Sequence, residues 1–261
     1  MSELTPIDHA HAAMEAEPEN ETLRLQFYER VADSELVVAL EAAPVGDTLN
    51  PLIFPVDGEQ IILAFDSEAR LTEFLGGAAS YAAMPGRRLV QMVAEQGAGI
   101  GLNLEVAPSS IVLPHTALVW LRDTLAARPK EMDVIPSEIA PPSGLPERVL
   151  TALDAKLAQA KGLARLAYLV RATYESGAKT PLLAFIDALP DAQVSLAEAT
   201  QEALTFAGIE AGTIDVAFFA SSDEIAATLA RHGLRFDLPI PDVQQAPSAP
   251  GMDPKAPPKL K

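Results

Sequence analysis

No cysteine occurs among the 261 residues. That excludes a disulfide framework, a thiolate nucleophile, and zinc or iron–sulfur centres held by Cys. Aromatic residues are scarce, at 5%, so cores must be built mainly from Leu, Val, Ile and Ala. Positive charge is also short, with 19 Lys and Arg against 36 Asp and Glu and a formal net charge of −17. Phosphate backbones and anionic membranes are bound by clustered Lys and Arg, so neither nucleic acid nor membrane is expected as a partner. The only adjacent Arg pair, Arg87-Arg88, has no aromatic residues interleaved with it. Long apolar runs are missing too: Ile61–Phe65 and Leu182–Ile186 are far too short to span a bilayer. The opening Met1-Ser-Glu-Leu-Thr-Pro lacks the basic start and apolar core of a signal peptide, which points to the cytoplasm.

What is present suits a folded protein. Hydrophobic residues make up 49% and charged ones 21%, enough apolar material for packed cores. The length fits one large domain or two of ordinary size. The charge is uneven: −12 over residues 1–128, −6 over 129–240 and +1 over 241–261. Two proline-rich stretches punctuate the chain, with five prolines in residues 129–146 and six in 241–261. Proline fixes φ and removes a backbone donor, so neither stretch is expected to hold a regular element. The expected organisation is a domain over 1–128, a linker over 129–145, a second domain over 146–240 and a disordered tail over 241–261.

Local signals fill in the domains. Thr5-Pro6-x-Asp8 predicts a helix start, with a capping hydroxyl, a proline at the first helical position and an acid in the first turn. Leu23, Phe27 and Val31 then recur every four residues on one helical face. A strand over 36–40 follows, and 52–54 and 61–65 bracket Asp57-Gly58 as a hairpin. Helices are expected from Pro85 to about Glu95 and onward from Pro114, with a buried strand over 99–104 between them. In the second region Val149, Leu153 and Leu157 share a helical face, and 163–170, 182–186 and 214–219 read as strands. Ser195-x-x-Glu198 and Ser221-x-x-Glu224 have capping-box spacing, and Gly233 reads as a left-handed cap of the last helix. Both regions thus read helix, strand, strand, helix, strand, helix. The expected class is α+β, two small and related domains, each a few-stranded mixed sheet packed with helices.

Signals of chemistry are few. His9 and His11 are two apart on a predicted helix and do not face each other, and His115 and His232 lie far away. All four read as solvated surface residues. No Gly-x-Ser-x-Gly and no phosphate-binding Gly-Lys loop occurs. Gly97-Ala-Gly99-Ile-Gly101 sits between a helix and a strand, the reverse of a dinucleotide-binding turn. Those glycines read as a helix cap and a strand passing close to a neighbour. No cofactor, metal or catalytic residue is expected. One segment stands out: Asn103 lies in an otherwise apolar strand, and Ser109-Ser110 interrupts the apolar text between Pro108 and Pro114. A buried Asn needs partners. Asn103, Ser109 and Ser110 therefore form either a polar pocket or docking loop, or a structural tie in which Asn103 pins the Pro108–Ser110 turn.

Several segments together carry a resemblance. Glu35-Leu-Val-Val-Ala-Leu, Pro51-Leu-Ile-Phe-Pro, Ile61-Ile-Leu-Ala-Phe-Asp66-Ser-Glu-Ala-Arg-Leu, and Gly99-Ile-Gly-Leu-Asn103 through Ile111-Val-Leu-Pro are similar to the N-terminal domain of the SseB (serine-sensitivity enhancing) family. Leu163-Ala-Arg-Leu-Ala-Tyr-Leu-Val and Pro181-Leu-Leu-Ala-Phe-Ile look like that family's C-terminal domain. The family pattern has Asn-Pro after the glycine-rich strand, whereas Leu104 follows Asn103 here. The resemblance implies a bacterial cytoplasmic protein without known catalysis that acts through protein partners, with altered serine sensitivity in relatives. A type III secretion link attaches to the name, partly because an unrelated translocon subunit shares it. The expected function is a non-catalytic interaction or regulatory protein whose acidic N-terminal domain docks an unidentified protein. The alternatives are a small-molecule-binding protein or enzyme using the pocket near Asn103 and Ser109, and a secretion-associated chaperone. The tail's Pro254-x-x-Pro257 would fit an aromatic groove.

Overall fold

The computed structural model of the chain describes residues 4–43, 49–56, 58–126, 136–209 and 213–240. The expected tail over 241–261, Asp57 of the hairpin turn and residues 127–135 lie outside that set.

The first half opens with α1 (Pro6–Ala16), where the Asp8 N–H donates to the Thr5 hydroxyl and the Thr5 N–H to the Asp8 carboxylate. Helix α2 (Glu21–Asp33) buries Phe27 and Val31, the face its four-residue spacing predicts. Then come β1 (Glu35–Leu40), β2 (Ile53–Val56), β3 (Glu59–Phe65), α3 (Glu68–Leu75), β4 (Ser80–Pro85), α4 (Gly86–Glu95), β5 (Gly99–Leu102), β6 (Ile111–Leu113) and α5 (His115–Leu125). The sheet order is β4-β1-β3-β5-β6, with β2 also paired to β3. Only β3 and β5 run parallel; the other pairs are antiparallel. Alternate residues serve two faces. Leu36, Val38, Ile62, Ala64 and Ile100 pack under α2, α4 and α5, while Val37, Ala39, Leu63 and Phe65 pack against Leu71 and Phe74 of α3. Burial on both faces is why β1 and β3 read as continuous apolar runs.

The second half holds β7 (Glu138–Ala140), α6 (Glu147–Leu157), β8 (Leu166–Thr173), β9 (Lys179–Ile186), a 3-10 turn at Pro190–Ala192, α7 (Gln193–Phe206), β10 (Asp215–Phe219), α8 (Glu224–His232) and β11 (Leu234–Asp237). Its sheet runs β10-β9-β8-β11, with β7 also on β8. Here too the sheet is covered on both faces, by α6 and α7 on one side and α8 on the other. The protein is α+β with two mixed sheets.

The halves share a core. In each, a helix leads into an antiparallel pair (β1–β3, β8–β9), and a later helix leads into a strand parallel to the second member (β5, β10). A fourth strand lies antiparallel beside the first member, but β4 precedes β5 in the chain whereas β11 follows β10. The spatial order agrees; the connectivity of the fourth strand does not.

Several expectations need correction. The proline-rich stretch over 129–146 does contain a regular element: Glu138–Ala140 lies between Pro136 and Pro141 and pairs with Arg171–Thr173. A strand of three proline-free residues at a sheet edge needs few donors, so its flanking prolines cost little. Ser195 lies inside α7 rather than capping it, and Asp223, not Ser221, is the residue before α8. Gly233 has φ −84°, not the left-handed value, because the chain runs straight on into β11. A Cβ there would lie 2.8 Å from that of Tyr168, so the glycine answers to close approach. Gly97 does take the left-handed cap position, at φ 71°, and a Cβ on Gly99 would meet the Leu113 carbonyl at 2.7 Å. Elements α3, β4, β6 and β11 have no counterpart in the sequence pattern.

Candidate functional site

The segment around Asn103 proves to be one corner of a buried polar network. Asn103 follows β5 with φ 49°, a left-handed conformation that Asn tolerates better than most residues. Its side-chain carbonyl accepts from the Asp66 N–H at 3.0 Å, and its amide donates to Ser109 Oγ at 2.9 Å. Ser109 Oγ donates in turn to Asp8 Oδ1 at 2.6 Å. Asp8 is gripped through both oxygens by the Arg70 guanidinium, whose Nη1 also donates to Asp66 Oδ2 at 2.7 Å. The Thr5 hydroxyl completes the circuit at Asp66 Oδ2, 2.6 Å away. Asp8, Arg70, Asn103 and Ser109 are all almost wholly buried.

Each element contributes for a local reason. The N-cap of α1 places Thr5 and Asp8, and the turn after β3 places Asp66 one helical turn before Arg70 on α3. The β5–β6 loop supplies Asn103 and Ser109. The structure thus joins two of the three residues the sequence singled out. Ser110 is separate: its hydroxyl accepts from the Glu105 N–H at 3.1 Å. The arrangement ties a loop to two helices, and with both residues at 0% exposure it leaves no route for a ligand to reach Asn103 or Ser109. Thr5, Asp8, Asp66 and Arg70 escape a reading by residue type. The Asp66–Arg70 spacing of four and the Thr5–Asp8 cap are the signals that expose them.

Burial alone would push the Asp8 carboxyl up, but hydrogen bonds from Arg70, Ser109 and the Thr5 N–H hold it well below its ordinary 3.8. A folded value depressed below the unfolded one gives stability that is complete above pH 3.8 and lost as pH falls through the folded value. Asp33, also held low, contributes in the same sense. Urea unfolding at pH 7 and pH 3 should therefore show the wild type losing more stability on acidification than Asp8→Asn does. Equal losses would remove Asp8 from the acid response.

A second buried cluster joins the halves. Lys156 of α6 points into α2 and α7, with Nζ 2.8 Å from Asp33, 3.0 Å from Glu202 and 3.4 Å from Glu29. Arg87 of α4 adds a half-exposed guanidinium, 2.7 Å from Asp33 and 3.3 Å from Glu202. Burial would lower the Lys156 pKa, but its three carboxylate neighbours raise it above the ordinary lysine value. Phe206 of α7, fully buried, packs into the first half's core with Phe27 and Val31. A cavity of about 230 Å³ opens beside this cluster, lined by Arg87, Lys156, Gln159, Ser195 and Glu198 among others.

The third feature is a groove between α2 and α5, of about 360 Å³, lined by Glu21, Arg24, Leu25, Tyr28, Ala117 and Trp120. Trp120, the chain's one tryptophan, stays 39% exposed and meets Tyr28 edge to face at 5.4 Å. Among the described residues no group hydrogen-bonds the Tyr28 hydroxyl or the Trp120 indole N–H. The histidines divide: His9 is exposed, but His11, expected at the surface, is buried edge-on against Phe27 at 5.5 Å. It sits on the inner face of α1, where the apolar side of the ring is useful.

Among the described residues no His, Asp or Glu group is arranged to hold a metal, and no helix is long and apolar enough to cross a membrane. Fold and site together define a two-sheet α+β protein with two buried clusters of paired polar groups, a cavity beside the second of them and an aromatic groove between α2 and α5. Residues 7–120 match the SseB protein N-terminal domain, so that stretch is a domain of the SseB family. No curated protein and no solved structure matches the chain.

Proposed function

We propose that the protein is a non-catalytic, partner-binding member of the SseB family and that its partner docks in the α2–α5 groove of the N-terminal half. The observation that carries this reading is the pairing of exposed Trp120 with Tyr28 over an open cavity, where no group among the described residues hydrogen-bonds either polar tip. Tyr and Trp combine large apolar area with a hydrogen-bonding tip, which makes them the usual anchors of protein interfaces. The acidic balance of this half adds charge complementarity toward a basic partner and hastens encounter. A small molecule held beside Asn103 and Ser109, the alternative reading, draws no support from the geometry, because both residues are sealed.

The test is affinity capture from native extract with full-length wild-type protein and full-length Trp120→Ala as baits. Truncating a hot-spot tryptophan costs ~2 kcal/mol or more, about 30-fold in affinity. A protein held by the wild type should be lost from the variant while the circular dichroism of the two stays the same. Equal retention by both baits would remove the groove as the docking surface.

A further inference from the structure

The two sheets end differently beside their parallel pairs. In the first half the outer edge of β5 is filled by β6, which runs antiparallel with Ile100 opposite Leu113 and Leu102 opposite Ile111. In the second half the corresponding strand, β10, ends the sheet, and among the described residues no strand pairs with its outer edge. One bond fixes the direction of its backbone groups: the Phe219 carbonyl accepts from the Asp187 N–H at 2.9 Å, so Phe219 faces β9. Backbone groups alternate sides along a strand. Asp215 and Ala217 therefore face β9 as well, while Val216 and Phe218 aim their N–H and C=O groups away from the sheet. Both residues are partly exposed, and no described group bonds those outward donors and acceptors.

An open row of backbone donors and acceptors is a template for another strand, and sheet edges normally carry a device against it. Here β6 and β7 have three residues each, β2 contains Pro55, β4 ends in Pro85, and β11 carries Arg235 and Asp237. Strand β10, Asp-Val-Ala-Phe-Phe, has neither proline nor lysine. Its one charge is tied back, because Asp215 Oδ2 accepts from the Thr180 hydroxyl at 2.5 Å and the Tyr174 hydroxyl at 2.7 Å.

The strand is also complementary to itself. Two copies laid antiparallel about a twofold axis at Ala217 place Val216 of each opposite Phe218 of the other, every such pair exchanging both backbone bonds. Aromatic and β-branched residues make a favourable cross-strand pair. Ala217 meets its own counterpart at the narrow position, ~4.5 Å between Cα atoms, where a methyl group fits. Phe218 is already held on the α6–α7 face, stacked on Phe185 at 5.5 Å.

We infer that β10 is a dimerisation edge, pairing antiparallel with β10 of a second copy of this chain and joining two second-half sheets into one. This edge belongs to the second half and owes nothing to the α2–α5 groove. An interface centred on one short strand is at the small end for specific contacts, so the dimer is reversible, with a Kd of about 100 μM.

The experiment is amide hydrogen exchange of the full-length protein, read by NMR at about 20 μM and about 1 mM. Salt at about 0.15 M screens the charge of −17 that each copy carries. With that Kd the dimer rises from roughly a quarter to four-fifths of the chains, so exchange at Val216 and Phe218 should slow about fourfold. Ala217 and Phe219, bonded to β9, should not respond. Sedimentation equilibrium over the same range should show the mass rising toward twice that of the monomer. Val216→Pro removes an outward donor and no bond to β9, so it should stay monomeric with the circular dichroism of the wild type. Slow exchange at Val216 and Phe218 at both concentrations would assign the edge to another segment of the same chain and overturn the inference. Fast exchange at both would overturn it too, as would a dimer that persists in folded Val216→Pro. If that variant does not fold, the concentration dependence of the wild type decides alone.

Discussion

Replacing Arg70 with methionine is expected to destabilise the protein by about 3–5 kcal/mol, because it leaves two buried carboxylates facing each other without a cation. Arg70 is 3% exposed and binds both Asp8 and Asp66, whose side chains are 1% and 4% exposed. For a chain of this size that loss lowers the melting temperature by ~6–20 °C. Arg70→Lys should recover little, since one ammonium cannot reproduce the two-sided grip of a planar guanidinium. Adding Asp8→Asn to Arg70→Met should recover part of the loss, because it removes one of the stranded charges. Thermal unfolding followed by circular dichroism provides the comparison. A melting temperature within about 2 °C of wild type for Arg70→Met would mean that water reaches the cluster and the burial account is wrong.

Lys156→Met should act differently, on the joint between the halves. The ammonium lies among Asp33, Glu202 and Glu29, and the half-exposed Arg87 shares Asp33 and Glu202 with it. Its removal strands carboxylates at the α2–α7 contact and should cost about 3 kcal/mol or more. Each half keeps its own sheet and its own apolar clusters, so the damage should uncouple them rather than unfold either one. Differential scanning calorimetry should show one transition in the wild type and two in Lys156→Met. A single transition at the wild-type temperature would show that Phe206 and its apolar neighbours hold the halves together unaided.

The parts of the fold that were legible in the sequence are those with strong local causes. The capping box at Thr5 and Asp8 is a matter of four consecutive residues, and the buried faces of α2 and α6 follow from spacing alone. Among the short elements, β2 and β5 were legible and others were not. Strands β6 and β11 have three and four residues, too few for a period to show, and exist because β5 and β8 offer them an edge. Helix α3 is eight residues long, so Leu71, Phe74 and Leu75 give a single turn of apolar spacing; they become meaningful once the outer face of the sheet is seen to need a cover. The proline count misled over residues 138–140, since it averages across a stretch while pairing needs only three free residues.

The candidate sites divide along the same line. Asn103 and Ser109 could be singled out because polar residues in apolar text are visible in one dimension, and each then needed a partner. Which partner each found was a matter of contacts 37 and 101 residues apart, Asp66 and Asp8, that no spacing announces. Lys156 and Trp120 look ordinary in the sequence for the same reason: one becomes a buried keystone and the other a partly exposed ring lining a groove only when α2, α5 and α7 come together. Composition, charge and periodicity by themselves determined the class of protein, because they act along the chain. Tertiary structure alone decided which charges are buried and paired and which aromatics stay open, because desolvation and hydrogen bonding depend on distance in space.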